Sequence, residues 1–210
     1  MIIGVDAGGT NVDAVLVSRE RGVVDTSKVP SSHTPESVRK ALSNLVENHD
    51  PDDIDRVVVA TTLVLNAAVQ DRLPECTNIV IPGPGLNPRN AFHGDENIVA
   101  EGCVDHRGRV TEDVDCDEIP SKEVVSVTSK FSPRNPELEL SLSDAFEYQD
   151  DRIALGHESG GRLGFPERAA TTVSNAKSKP VFHDFEDGVR NALDDIGIEA
   201  PVYYLKGDAV

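Results

Sequence analysis

Asp6, Gly8, Gly9 and Thr10 stand together in the stretch IIGVDAGGTNVDAVLVS, between two apolar runs. These residue types suit one piece of chemistry. Adjacent glycines can take positive φ and turn backbone N–H groups outward, and such a nest attracts phosphate oxygens. Thr10 adds a hydroxyl. A carboxylate at Asp6, facing the same mouth, makes sense beside a phosphate only with a cation between them, and hydrated Mg²⁺ fits. Asp6 would alternatively orient an attacking water. The competing assignment is a tight hairpin that Asp6 caps. The stretch has no GxxxxGK[ST] spacing, and no helix follows it as a dinucleotide-binding turn requires.

A second group of candidates lies in GHESGGRLGFPER, Gly156–Arg168. His157 and Glu158 would contact a substrate or metal, and Arg162 and Arg168 would hold a phosphate or carboxylate bidentately. The alternative is a solvated loop in which Glu158 pairs with Arg162 and the arginines form surface ion pairs. The segment is not H-E-x-x-H, because residue 161 is Gly. Ser159 lacks the G-x-S-x-G frame of a nucleophile elbow. Asp105-His106-Arg107 suits a polar hairpin tip. Asp113, Asp115 and Asp117 imitate the start of a calcium loop, but Glu118 replaces the required Gly and residue 124 is Val, which excludes calcium there.

Strands and helices must position these groups. Ile2–Val5, Val12–Val17 and Val23–Val29 are expected to form an antiparallel meander. Thr34-Pro35-Glu36 is a helix start, with a hydroxyl cap, Pro in the first position and an acid in the first turn. Val38, Ala41, Leu42, Leu45 and Val46 then recur at helical spacing. Arg56–Ala60 is a buried-type strand, followed by Thr61-Thr62 and a helix over Leu63–Gln70. Asn78–Ile81 is a further strand, and Pro82–Pro88 is a rigid loop. A hairpin is expected from Ile98 to Val110, then a strand at Val124–Thr128. After Ser129 come a Pro-rich connection, a helix over Glu137–Tyr148, a short strand at Ile153–Leu155 and the Gly-rich loop. An amphipathic helix over Val181–Ile196 stops at Gly197, and Pro201–Leu205 is a last strand. The order is that of an α/β protein, divided into residues 1–129 and residues 130–210.

The 210 residues carry 37 acids against 20 bases, a net charge of −17 and a pI near 4.6. A field of that sign repels nucleic acid and anionic membranes, so neither is an expected partner. The acids are spread along the chain and Lys is scarce, which resembles cytoplasmic proteins of salt-loving archaea, where salt screens self-repulsion. The three cysteines, Cys76, Cys103 and Cys116, have no metal-ligand spacing and suit reduced thiols of a cytoplasmic protein. No signal peptide is expected ahead of Ile2, and no apolar run approaches the about 18 residues of a membrane span. With 6 Phe, 3 Tyr and no Trp, the core must be mostly Val, Ile, Leu and Ala.

A strand, D-x-G-G-T and a second strand resemble the first phosphate loop of the actin-like ATPase superfamily. Within it the chain resembles the amino-terminal part of the hydantoinase/oxoprolinase family. The segments that carry this are ATTLVLNAAVQ (Ala60–Gln70), IPGPGLNP (Ile81–Pro88), EGCVDHRGR (Glu101–Arg109), FSPRNPELE (Phe131–Glu139), GHESGGRLGFPERAATTVSNA (Gly156–Ala176) and APVYYLKGD (Ala200–Asp208). The resemblance implies a ribonuclease-H-like, actin-type lobe with a mixed sheet and flanking helices. By the same resemblance residues 1–129 are the family's amino-terminal α/β domain. Residues 130–210 are the linker and the start of its next, hydantoinase A-like region.

The family's chemistry is the ATP-dependent opening of a cyclic amide such as hydantoin or 5-oxoproline. ATP and Mg²⁺ would be the cofactors. Asp6, Gly8, Gly9, Thr10 and Asn11 would bind phosphate and metal, while Thr61, Thr62 and Asn66 would line the cleft. The chain has one such phosphate loop and ends at Val210, whereas an actin-like ATPase closes on its nucleotide between two. A fragment, or a chain completed by a partner subunit carrying the missing lobe, is therefore expected to be a poor ATPase alone, and a homo-oligomer is an open alternative. Two competing functions are a sugar-kinase-like phosphotransferase of the same superfamily and a non-catalytic domain that binds a partner lobe.

Overall fold

The computed structural model describes residues 1–31, 35–146 and 148–205. In chain order the first elements are β1 (Ile2–Ala7), β2 (Asn11–Ser18), β3 (Gly22–Pro30), α1 (Pro35–Val46), β4 (Arg56–Thr61) and α2 (Leu63–Val69). Then follow β5 (Cys76–Ile81), β6 (Glu96–Val99), β7 (Glu101–Val104), β8 (Val110–Asp115), β9 (Val124–Ser129) and α3 (Glu137–Phe146). The last are β10 (Ile153–Leu155), α4 (Gly156–Ser159), α5 (Phe165–Asp195) and β11 (Val202–Tyr204). They form two compact units: unit 1 is Met1–Arg72 with the segment from Val181 on, and unit 2 is Leu73–Pro180.

Unit 1 is a mixed sheet in the order β11-β4-β1-β2-β3. β1 pairs antiparallel with β2 and parallel with β4, β2 pairs antiparallel with β3, and β11 pairs parallel with β4. The meander is the expected one. Alternation puts Ile3, Val5, Ala7, Val12, Ala14 and Leu16 on one face, where they are buried. Val38, Ala41, Leu42 and Leu45 of α1 and Phe185, Val189, Ala192 and Leu193 of α5 close that face into one core. The Pro35 ring sits at the first position of α1, where a missing N–H costs nothing. The expected cap, Thr34, lies outside the described residues.

Unit 2 is a four-stranded parallel sheet, β10-β9-β5-β6, with a β7–β8 hairpin. Every residue of β5, β9 and β10 is buried, as expected for parallel strands covered on both faces. Leu138 and Leu142 of α3 pack with Ile79, Ile81, Val125, Val127, Ile153 and Leu155 on one side. Phe165, Ala169, Val173 and Ala176 of α5 cover Val80, Cys76, Val124 and Ala154 on the other.

Three expectations need correction. Ile98 belongs to β6, which pairs parallel with β5, so the hairpin is β7–β8 alone. Ser159 and its neighbours are not loop throughout, because Gly156–Ser159 is a helical turn. The last helix begins at Phe165, not Val181, and runs through Pro180. Proline interrupts the ladder and crowds the carbonyl four residues back, which in sequence resembles a helix start. Here the helix carries two apolar sets into two different cores, and the unit boundary falls at Pro180. Gly197, at φ +75°, ends the helix as expected, with Ile198 N–H returning to the Leu193 carbonyl.

Candidate functional site

The β1–β2 corner in unit 1 holds the first candidate group. Pairing of the two strands ends at Ala7↔Val12, leaving Gly8–Asn11 as the connection. The turn closes by Gly8 N–H donating to the Asn11 carbonyl at 3.0 Å. Neither glycine of the pair takes positive φ, contrary to the left-handed turn expected from sequence. Gly8 is small for another reason: a Cβ there would lie 3.2 Å from the Asn11 carbonyl oxygen. Thr10 is exposed at the tip.

Thr61 ties this corner to β4 and α2. Its hydroxyl donates to the Ala7 carbonyl at 3.0 Å and accepts from Leu63 N–H at 3.1 Å, so one side chain ties the end of β1 to the first residue of α2. Thr62 accepts from the Asn66 side-chain amide at 3.2 Å. Gly8, Thr61 and Asn66 line a cavity of about 20 Å³, with Val12, Val38 and Phe185 behind them. That volume takes about one water and is far below the about 300 Å³ at which ligand pockets begin. Among the described residues the corner is therefore polar but does not enclose a nucleotide.

Asp6 does not join this group. It alternates with buried Val5 and Ala7, so its exposed side chain stands on the opposite face of the sheet. There it is the cross-strand partner of Asp13, and both line a groove with Gly4, Val15, Val58 and Lys28. Lys28 donates to Asp13 at 2.8 and 3.1 Å, while among the described residues Asp6 makes no ion pair. A carboxylate without an ion pair is a donor that suits Mg²⁺ held through its water. Among the described residues no three His, Cys, Asp or Glu side chains gather as a self-sufficient metal site, so phosphate oxygens would have to complete the shell.

The second candidate group lies in unit 2. His157 does not belong to a solvated loop. Its backbone N–H and Nδ1 both face Glu139 Oε2, at 2.9 and 2.8 Å, and Glu139 is fully buried. Glu139 Oε1 also accepts from Ser129 N–H at 2.7 Å. Among the described residues Glu158 and Arg162 form no ion pair, and both are exposed. Arg168 is not a surface residue: it is 3% exposed and donates to the carbonyls of Ser129, Lys130 and Arg162. Burial lowers its pKa, and the nearby Glu139 charge pulls the other way. Arg168 Nε, Thr128 Oγ1 and Ser129 Oγ have no hydrogen-bond partner among the described residues. Glu139 escaped the sequence reading. Its only signal is a carboxylate on the Leu138/Leu142 stripe of α3, the face that packs inward.

The fold is shared by solved ATP-dependent enzymes. A caprolactamase from Pseudomonas jessenii, described as ATP-dependent, superposes with a TM-score of 0.72 at 20% identity, over 97% of this chain and 35% of its own. The nucleotide-free structure of an acetone carboxylase, from work on ATP-dependent acetone carboxylation, gives 0.71 at 15% identity, over 94% and 34%. At those identities the likeness is one of fold, consistent with an actin-like lobe, and the chain spans about a third of each enzyme. A glucokinase of Streptomyces coelicolor is 43% identical over 47 residues, 22% of this chain and 15% of that protein. The family model described as the hydantoinase/oxoprolinase N-terminal region matches residues 2–149. The chain belongs to the hydantoinase/oxoprolinase family. Among the described residues no helix is long and apolar enough to cross a membrane.

Proposed function

We propose that this chain is the amino-terminal, nucleotide-contacting lobe of an ATP-dependent hydrolase that opens a cyclic amide of the hydantoin or 5-oxoproline kind, in the cytoplasm. The observation that carries it is the corner at Ala7–Asn11, stitched by Thr61 to the start of α2, in a chain whose family match spans residues 2–149. Gly8, Gly9, Thr10 and Asn11 would meet the phosphates, with Thr61, Thr62 and Asn66 behind them. Asp6 would hold Mg²⁺ through water. His157, Glu158 and Arg162 would serve the substrate. ATP would phosphorylate the amide oxygen with loss of ADP; one water would then add to the activated carbon, C–N cleavage would leave a free amine and an acyl phosphate, and a second water would hydrolyse that acyl phosphate to carboxylate and phosphate. The one-water cavity at the corner supports the need for a second lobe, in the same polypeptide or a partner subunit, to enclose the nucleotide. On this proposal residues 130–210 lead into that second part.

The test is ATP hydrolysis by the complete assembly with hydantoin, 5-oxoproline or a hexose added. Stimulation by a cyclic amide is expected. Stimulation by a hexose alone would transfer the assignment to a sugar-kinase-like phosphotransferase, which the 43% identity to a glucokinase over 47 residues favours. No turnover with any addition, together with tight association of a second lobe, would leave a non-catalytic binding domain.

A further inference from the structure

We propose that the carboxyl end of the parallel sheet in unit 2 binds a small oxyanion, with Arg162 and Arg168 as its cationic contacts. The topology selects the place. β5 and β9 are neighbours, yet the chain leaves β5 toward β6 on one side and leaves β9 through α3 toward β10 on the other. In open α/β sheets ligands bind outside the carboxyl ends of strands where the winding reverses in this way. Arg168 reaches that end of β9, donating to the carbonyls of Ser129 and Lys130.

Beside it lies a cavity of about 630 Å³, lined by Gly160, Gly161, Gly164, Arg162, Glu167 and Arg168. Gly160 and Gly161 are not needed for packing, since a Cβ on either would meet nothing within 4 Å. They leave the cavity wall as bare backbone. Arg168 is 3% exposed, lines the cavity and, among the described residues, has an Nε–H without an acceptor; the Thr171 side chain stands on the same wall. A place with donors to spare and two guanidiniums calls for a ligand rich in acceptor oxygens, a carboxylate or a phosphate. Among the lining residues two arginines stand against one acid, Glu167. The inference rests on unit 2 alone and does not depend on nucleotide binding at the Asp6–Asn11 corner.

The test is a titration of the full ¹⁵N-labelled chain by NMR at constant ionic strength, with acetate in one arm and orthophosphate in the other. Saturable shifts of the Gly160, Gly161 and Gly164 amides and of Arg168 Nε–H are expected in at least one arm, and the stronger arm identifies the carboxylate or phosphate source. Arg162→Gln, at an exposed position, should weaken binding about tenfold, the scale of one charged hydrogen bond. Arg168→Gln should abolish it if the variant folds. Asp6→Asn should leave it unchanged. No saturation in either arm, shifts confined to residues 8–11, or equal binding by Arg162→Gln would overturn the proposal.

Discussion

Glu139 and Arg168 hold the same residue, one at its N–H and the other at its carbonyl. The Glu139 carboxylate accepts the Ser129 N–H at 2.7 Å, and the Arg168 guanidinium donates to the Ser129 carbonyl. Two buried charges of opposite sign thus hold the end of β9, and Glu139 reaches on to His157. Glu139→Ala would leave the Arg168 charge buried without its counter-charge, an arrangement that costs about 3–5 kcal/mol. Denaturant unfolding at fixed salt should show a loss of that order. A loss below about 1 kcal/mol would mean that the pair carries none of the local stability.

Gly188→Ala should destabilise unit 1, although alanine is ordinarily the better helix former by roughly 1 kcal/mol. An added Cβ would lie 2.2 Å from Pro35 Cγ and 2.4 Å from Pro35 Cβ, where α5 crosses the start of α1. A proline ring cannot swing aside, so overpacking of about 1–3 kcal/mol is expected. Gly160→Ala is the control, with nothing near its Cβ. A rise in melting temperature for Gly188→Ala would contradict the close approach.

Asp6→Asn should abolish ATP hydrolysis by the complete assembly while leaving the fold intact. The side chain is exposed and faces Asp13 across the β1–β2 pair. Removing one of two facing like charges relieves repulsion of about 0.2–1 kcal/mol, so the melting temperature should hold or rise slightly. Unchanged turnover would remove Asp6 from the phosphate site.

Alkaline pH should weaken the fold through Cys76 and Tyr204. Burial pushes the Cys76 thiol up to about 11 and the Tyr204 hydroxyl up to about 12. The folded state holds these protons more tightly than the unfolded chain, where the groups ionise near about 8.5 and 10. Their contribution is complete below the unfolded values and is lost as pH rises through the folded ones. The denaturation midpoint should fall between about pH 9 and pH 12, less steeply in Cys76→Ala. A flat midpoint across that window would refute the burial argument.

Potassium chloride should raise the melting temperature. At a net charge of −17, self-repulsion at low salt opposes the compact state, and at about 1 M the screening length shrinks to roughly 3 Å. A melting temperature indifferent to KCl would argue against adaptation to salt.

Unit 1 was legible because its signals are local. Period-two alternation in β1 and β2, helical spacing from Val38 to Leu45 and Gly197 after the last helix each declare an element within a few residues. Ile98 was misassigned because a short apolar run does not say whether its neighbour is the next strand or one wound parallel to it. α5 was cut short because Pro180 looks like a start when the two apolar sets on either side are not known to enter different cores.

By itself, the sequence determined the family, the acidic surface, the α/β class and the residues of the D-x-G-G-T corner. These depend on residue identity and on periodicity over one or two turns of chain. Tertiary structure alone decided that Asp6 faces away from Gly8, Thr61 and Asn66. It also decided that Glu139, His157 and Arg168 share one buried charge network. Asp6 is placed by strand alternation once Val5 and Ala7 are drawn to the core. The network joins residues 18 and 39 positions apart, and a buried carboxylate has no signature in sequence until the fold shows which face of its helix turns inward. Local patterns specify elements; desolvation, which makes a charge seek its partner, acts only where distant elements meet.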